Sequence, residues 1–223
     1  MTATHETAVR RRRWVREEEL SLVRSKFDRI LQLAKGRDVL DVGCIGGDRN
    51  VDISKTVHAQ LASVARTCVG IDVDSVEVER WRALGHDVVV ADAEEFHLER
   101  TFDIVVAADV IEHLANPGRF LERVKKHLRH GGRLCIVTPN ALSLNSALKS
   151  LAGLRVAVNP EHTCWYDHTT LRQLLSRYDF NVEEEYWQDY ERHPLSALFL
   201  RFRKNLAAHF IMIAQFNRGE SES

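Results

Sequence analysis

Short branched apolar runs alternating with stretches of helical periodicity predict an α/β fold, a mostly parallel sheet with helices on both faces. Three observations carry this. The runs 38–42, 67–72, 87–92 and 133–138, and the one opening at Phe102, are rich in Val, Ile and Leu, as strands buried on both faces are. The segments between them carry apolar residues at helical spacing, and strand-helix-strand repeats with right-handed crossovers build a parallel sheet. The first run, Asp38-Val39-Leu40-Asp41-Val42, breaks into Gly43-Cys44-Ile45-Gly46-Gly47-Asp48, a glycine turn of the kind that opens a nucleotide-binding strand-loop-helix unit.

The glycine spacing and its flank select among ligands. A dinucleotide pyrophosphate wants Gly-x-Gly-x-x-Gly and a helix N-terminus free to meet phosphate. Here the spacing is Gly43-x-x-Gly46-Gly47, and Asp48 follows. A carboxylate in the first turn of the next helix occupies the positive end of the dipole and repels phosphate, which suits an adenosine attached to a cationic group. Two further acids stand where such a ligand needs them. Asp72 ends the second run, where it can accept from both ribose hydroxyls, and Asp92 ends the third, where it can accept from an exocyclic amine.

Taken in order, residues 1–9 are polar and read as a disordered tail, with 219–223 as a second. Arg10-Arg11-Arg12-Arg13-Trp14 reads as a solvated charge run at a helix start, with an anion-binding patch as the alternative. From Arg16 to Lys35, Leu20, Val23, Phe27, Ile30, Leu31 and Ala34 recur at helical spacing, and Gly36 ends that helix. Asp48 to Ala65 is the expected first crossover helix, and Ser75 the expected cap of a second running to Leu84. Pro117 suits the first position of a helix with Phe120, Leu121, Val124 and Leu128 on one face, closed by Gly131-Gly132.

After Pro139-Asn140 the pattern loosens, and substrate identity belongs here. Ala141 to Leu154 has the apolar content of a helix, and Arg155 to Tyr166 is an irregular stretch carrying His162, Trp165 and Tyr166. Thr169 or Thr170 can cap a helix with Leu171, Leu174 and Leu175 inward. Phe180 to Tyr186 and Phe210 to Phe216 read as the last two strands. His193 to Leu206 between them reads as a lid or packing helix in preference to a membrane-surface helix. A single domain over 10–218 is the simplest division, with an N-terminal helix in 10–36, a cofactor-binding half in 37–140 and a substrate-facing half in 141–218.

Composition narrows the function classes. A net charge of −1 offers no global field for nucleic acid, and no basic stripe with interleaved aromatics compensates. Cys44, Cys68, Cys135 and Cys164 are isolated, without zinc or redox spacing, so reduced thiols are expected in place of a disulfide frame. No apolar run has membrane-spanning length and no secretory segment opens the chain, which makes the cytoplasm the expected compartment.

These motifs, in this order, resemble the class I S-adenosylmethionine-dependent methyltransferases, with the similarity running from Val39 to Asn140 and weaker echoes over His162 to Phe180. The family pattern Asp-x-Gly-x-Gly-x-Gly falls on Asp41, Gly43, Ile45 and Gly47, with Ile45 in place of the middle glycine and Gly46 beside it. The resemblance implies a seven-stranded Rossmann-like sheet, mostly parallel with an antiparallel last strand. It implies a cofactor site built from Asp41, Gly43, Gly46, Gly47, Asp72, Val73, Asp92, Ala93, Ala108 and Asp109, with Asp72 on the ribose, Asp92 on the adenine amine, and Ala108 with Asp109 as the floor.

A sulfonium methyl is already electrophilic, so the protein must hold a nucleophile about 3 Å away in line with the departing sulfur and, for a hydroxyl, take its proton. His113 and His162 are the candidate bases, against plainer readings as a scaffold histidine and an exposed loop histidine. The motif Asp109-x-x-Glu112-His113 also resembles the acid-x-x-Glu-His arrangement of metal-dependent ubiquinone-pathway O-methyltransferases. If a helical turn follows the strand, Asp109, Glu112 and His113 share one side, and His162 can close a Mg²⁺ or Mn²⁺ site over them. The expected activity is methyl transfer to a hydroxyl of a small molecule or saccharide. N-methylation, an RNA substrate, or cofactor binding without turnover are the alternatives, and the acceptor's identity and the oligomeric state stay open.

Overall fold

The computed structural model describes residues 21–23, 27–46, 52–156, 159–188, 200 and 203–216. Its strands are β1 (Ser21–Val23), β2 (Asp38–Val42), β3 (Thr67–Asp72), β4 (Val88–Val90), β5 (Phe102–Ala108), β6 (Leu128–Pro139), β7 (Phe180–Gln188) and β8 (His209–Phe216). They form one sheet in the order β1-β7-β8-β6-β5-β2-β3-β4. The seven strands β2–β8 make the expected Rossmann-like sheet, and β1 adds a short parallel edge strand on β7. Only β8 runs against the rest, wedged antiparallel between β6 and β7, so β7 is parallel to the main body.

The helices are α1 (Asp28–Ala34), α2 (Val57–Val64), α3 (Ser75–Ala83), α4 (Pro117–His127), α5 (Leu144–Leu151) and α6 (His168–Arg177). Period-two alternation feeds both sides of the sheet. Leu40, Val42, Val105 and Ala107 face a core closed by Phe120, Leu121 and Val124 of α4 and Leu171 and Leu175 of α6. Val39, Ile104 and Val106 face the opposite core, closed by Ile30, Leu33 and Ala34 of α1 and Leu61 of α2. A third, smaller cluster joins Cys44 and Ile45 of the glycine loop to Val78 and Trp81 of α3 and to Val88. The chain leaves β2 toward β4 and returns to β5 on β2's other side, so the strand order reverses at β2/β5, where open α/β sheets bind ligands.

Several expected boundaries move. The single helix over 16–35 is replaced by β1 and the short α1, because Ser21–Val23 pairs with the edge of β7 and the helix starts only at Asp28. Gly36 does end it, at φ +69°. The first crossover helix does not start at Asp48. A 3₁₀ turn at Ile53–Lys55 precedes α2, whose N-terminus is capped by the Thr56 hydroxyl accepting from the Ala59 N–H, so Asp48 is not in its first turn. Gly47 and Asp48 themselves lie outside the described residues. Asp74, not Ser75, caps α3, because its carboxylate reaches the Val76 and Glu77 N–H groups.

Pro117 takes the first turn of α4 as expected. That helix stops at His127, and Gly131-Gly132 lie inside β6, where Gly131 at φ +73° accompanies a register shift against β5. Asp167, in a capping box with Thr170, starts α6 in place of Thr169 or Thr170. Of the expected lid helix, 193–199 and 201–202 lie outside the described residues, and Lys204–Leu206 is a 3₁₀ turn. The runs 1–20 and 217–223, with the arginine cluster and both tails, also lie outside them.

Candidate active site

The glycine loop is held from three sides. Gly43 turns at φ +69°, and a Cβ there would meet Val110 Cγ2 at 2.6 Å, so both backbone sign and space demand glycine. Its N–H donates to the Ile71 carbonyl at 2.8 Å. Gly46, at φ +72°, faces open space where a Cβ would stand, room for a ligand against the backbone. Between them Ile45 replaces the family's glycine with an anchor. Its side chain is buried in the third cluster while its N–H donates to Asp72 Oδ2 at 3.1 Å.

Asp72 sits at the end of β3 with its other oxygen accepting from the Asp74 N–H at 3.0 Å. Asp92 is exposed past β4, its Oδ1 accepting from the Glu94 N–H at 2.7 Å in a turn seated by buried Phe96. Ala93 is half-buried beside it, and Val73 and Val90 stand exposed along the same edge, an apolar surface beside the two acids. Asp41 is placed differently. It is 2% exposed beneath the loop, with Oδ2 at 3.2 Å from Nδ1 of His58, which comes from α2; burial pushes its carboxyl pKa up.

At the end of β5, Ala108 is half-buried and Asp109 adopts φ +57°. The expected helical turn through Asp109, Glu112 and His113 does not form from Asp109. A 3₁₀ turn spans only Ile111–His113, and the left-handed residue before it turns the Asp109 carboxylate toward His209, whose Nε2 lies 3.8 Å away. Glu112, 1% exposed, accepts from the Thr138 hydroxyl of β6 at 2.9 Å. Its carbonyl receives the Thr163 and Cys164 N–H groups at 2.8 and 3.2 Å, and the Thr163 hydroxyl reaches the Leu114 carbonyl at 2.6 Å.

This lacing brings His162 onto His113, with ring centroids 4.6 Å apart at 84°. Donor atoms of Glu112, His113 and His162 lie within 4.8 Å of one another, and Asp109 stands outside this group. Burial, and then the neighbouring His113, lower the His162 pKa, while its Nδ1 is buried with no hydrogen-bond partner. All four cysteines are free. Burial pushes the Cys44 and Cys68 thiols up, and Cys135 to about 12, which leaves them unreactive.

A family model described as a methyltransferase domain matches residues 12–185. The chain belongs to the class I S-adenosylmethionine-dependent methyltransferases. A protein of Mycolicibacterium smegmatis named "Probable S-adenosylmethionine-dependent methyltransferase" is 30% identical over 174 residues, covering 77% of this chain and 60% of the relative. A ubiquinone biosynthesis O-methyltransferase of Nitrobacter winogradskyi is 30% identical over 118 residues, covering 52% of this chain and 44% of its relative. The chain thus spans about half the length of the curated relatives it matches. A SAM-dependent methyltransferase from Archaeoglobus fulgidus shares the fold at a TM-score of 0.61 and 18% identity, covering 85% of this chain and 90% of that one. So does the N-methyltransferase NodS from Bradyrhizobium japonicum in complex with S-adenosyl-L-homocysteine, at 0.55 and 16% identity, covering 85% of each chain. No helix among the described residues is long and apolar enough to cross a membrane.

Sequence reasoning missed His58, Thr138 and His209. Thr138 and His209 take part only through strands that pair far along the chain, and no local pattern marks them. For His58 one signal existed: Gly70 lies directly opposite Asp41 on β3, a gap that some side chain had to fill.

Proposed function

We propose that this methyltransferase transfers a methyl group to a hydroxyl of a small molecule or saccharide. The observation that carries the reading is the convergence of Glu112, His113 and His162 beside the sheet edge at Asp109, basic groups where an acceptor hydroxyl must lose its proton. An amine acceptor, already nucleophilic when neutral, needs less of such a group. In this reading Asp72 holds the ribose diol, Asp92 the adenine amine, and Val73 and Ala93 flank the base. Gly43 and Gly46 leave room for the methionine portion over Ala108 and Asp109.

The imidazole of His162 or His113 takes the proton as the hydroxyl oxygen approaches the methyl carbon in line with the departing sulfur. The same side chains fit a divalent ion: one buried carboxylate and two imidazoles, with an unpartnered His162 Nδ1 among them. Glu112, His113 and His162 would hold Mg²⁺ or Mn²⁺, with Asp109 outside the set. Such an ion, when bound, supplies acidification of an acceptor hydroxyl.

Turnover of labelled S-adenosylmethionine against catechols, methyl glycosides and primary amines, with and without EDTA and with Mg²⁺ or Mn²⁺ added back, tests both parts. We expect labelled methyl ether from a hydroxylated acceptor, lost in Glu112→Ala and in the double variant His113→Ala/His162→Ala. Methylation of amines alone overturns the O-directed reading. Full turnover in chelator removes the ion and leaves the histidine base.

A further inference from the structure

Beneath the glycine loop lies a buried pair that the binding of cofactor does not itself require to touch the ligand. Asp41 ends the second-to-last position of β2, two residues before Gly43, and His58 sits in the first turn of α2, beyond the loop. Both are all but excluded from solvent, at 2% and 1% exposure, and His58 Nδ1 lies 3.2 Å from Asp41 Oδ2, within hydrogen-bond reach. The pair therefore ties the strand that enters the cofactor loop to the helix that leaves it.

The surroundings are shaped for this ring. Gly70 is Asp41's cross-strand neighbour on β3, and a Cβ there would stand 2.9 Å from His58 Cε1 and 2.6 Å from Cys44 Sγ. The missing side chain is the space the imidazole fills. Trp81 and His86 pack their rings 5.8 and 5.6 Å from it, and Cys68 Sγ lies 3.9 Å from its Nδ1. Nothing apolar could replace His58 without leaving the Asp41 carboxylate buried and unpaired, among the costliest defects a folded chain can carry. The loop above has lost the family's middle glycine, and its substitute, Ile45, is fixed into the cluster that also holds Cys44 and Trp81.

We infer that His58 is a positioning residue for the cofactor: its bond to Asp41 fixes the spacing of the loop's two ends, and so sets affinity for the adenosyl ligand without contacting it. A carboxylate that stiffens the loop from below is used differently from Asp72, which accepts from the loop's Ile45 N–H with one oxygen and from the Asp74 N–H of its own turn with the other, at the edge where the ribose belongs. Preorganisation of this kind appears in binding because a loop already held in its bound geometry loses less freedom when the ligand arrives.

The inference rests on the adenosyl-cofactor reading, and titration calorimetry with S-adenosylhomocysteine on the full chain, well below its melting temperature, separates the two. Wild-type protein that binds none overturns both. Given wild-type binding, His58→Phe, which keeps the ring and loses the donor, is expected to weaken it about tenfold or more. His58→Asn, whose amide nitrogen can stand where Nδ1 stands, is expected to stay within about threefold. Gly70→Ala, which drives a Cβ into both the Cys44 side chain and the imidazole, should follow His58→Phe. A purely structural role would lower the melting temperature and leave these affinities alike. Folded His58→Phe that binds as wild type overturns the inference, and so does His58→Asn that loses as much as His58→Phe. Should His58→Phe not fold, a Gly70→Ala protein with wild-type affinity, or a His58→Asn protein with a tenfold loss, overturns it instead.

Discussion

On the cofactor side of the sheet edge, the acids singled out already hold partners: Asp41 faces His58, Asp72 accepts from the Ile45 and Asp74 N–H groups, and Asp92 accepts from that of Glu94. On the acceptor side, several buried polar atoms hold none. His162 Nδ1, Trp187 Nε1 and both side-chain polar atoms of Gln188 have no hydrogen bond, although Gln188 is fully buried. The two helices beside these regions differ in how much they bury. α3 buries Val78 and Trp81 although it leaves Val76 exposed, whereas α5 has no buried residue at all and leaves Leu148 and Leu151 exposed. A site that must bind one invariant ligand can be preorganised by its own backbone. Polar groups left unsatisfied at a cost are the mark of a surface completed by something else.

The sharpest break of that contrast is Asp72→Ala. It removes the proposed ribose acceptor and, with it, the acceptor of the Ile45 N–H in the glycine loop, so the protein should melt near the wild-type temperature yet show no shift with S-adenosylhomocysteine. A variant stabilised by ligand as much as wild type would remove Asp72 from the site. Asp92→Ala gives up one exposed contact worth about 1 kcal/mol, and should weaken the same ligand roughly fivefold. A loss exceeding that of Asp72→Ala would reverse the ranking of the two acids.

On the other side the expected sign is opposite. Gln188→Leu removes two unsatisfied buried atoms and should raise stability by about 1 kcal/mol, seen as a rise of about 2–4 °C in melting temperature. A fall would mean the amide is satisfied in the folded chain, and the contrast between the two regions would weaken. The smallest effect concerns pH. Burial pushes the Glu185 carboxyl up, but hydrogen bonds from His168 and Arg172 outweigh it and the net direction is down. A folded pKa below the unfolded one gives stability that is present above the ordinary carboxylate range, about pH 4.3, and lost as pH falls through the folded value. Glu185→Gln should therefore flatten the acid limb of the melting temperature against pH, and an unchanged limb would remove that pair from the account.

The sequence by itself determined the alternation of strands and helices, the glycine loop, and the acids Asp72 and Asp92 at strand ends. These are legible because buried parallel strands are short apolar runs and their ligand-facing residues follow immediately in the chain. Even the caps were nearly readable, missed by one residue at Asp74 and by two or three at Asp167. What only the tertiary structure decided lies in pairings across distance. The wedge of β8 between β6 and β7 puts His209 at the sheet edge facing Asp109, and the left-handed turn at Asp109 takes that carboxylate away from Glu112 and His113. The docking of Thr163 on the Glu112 carbonyl carries His162 onto His113, and the gap at Gly70 lets His58 reach Asp41. Local spacing could propose that acids and histidines share a face. Which of them meet depended on one backbone dihedral, one strand insertion and one missing side chain, each set by packing between segments far apart in sequence.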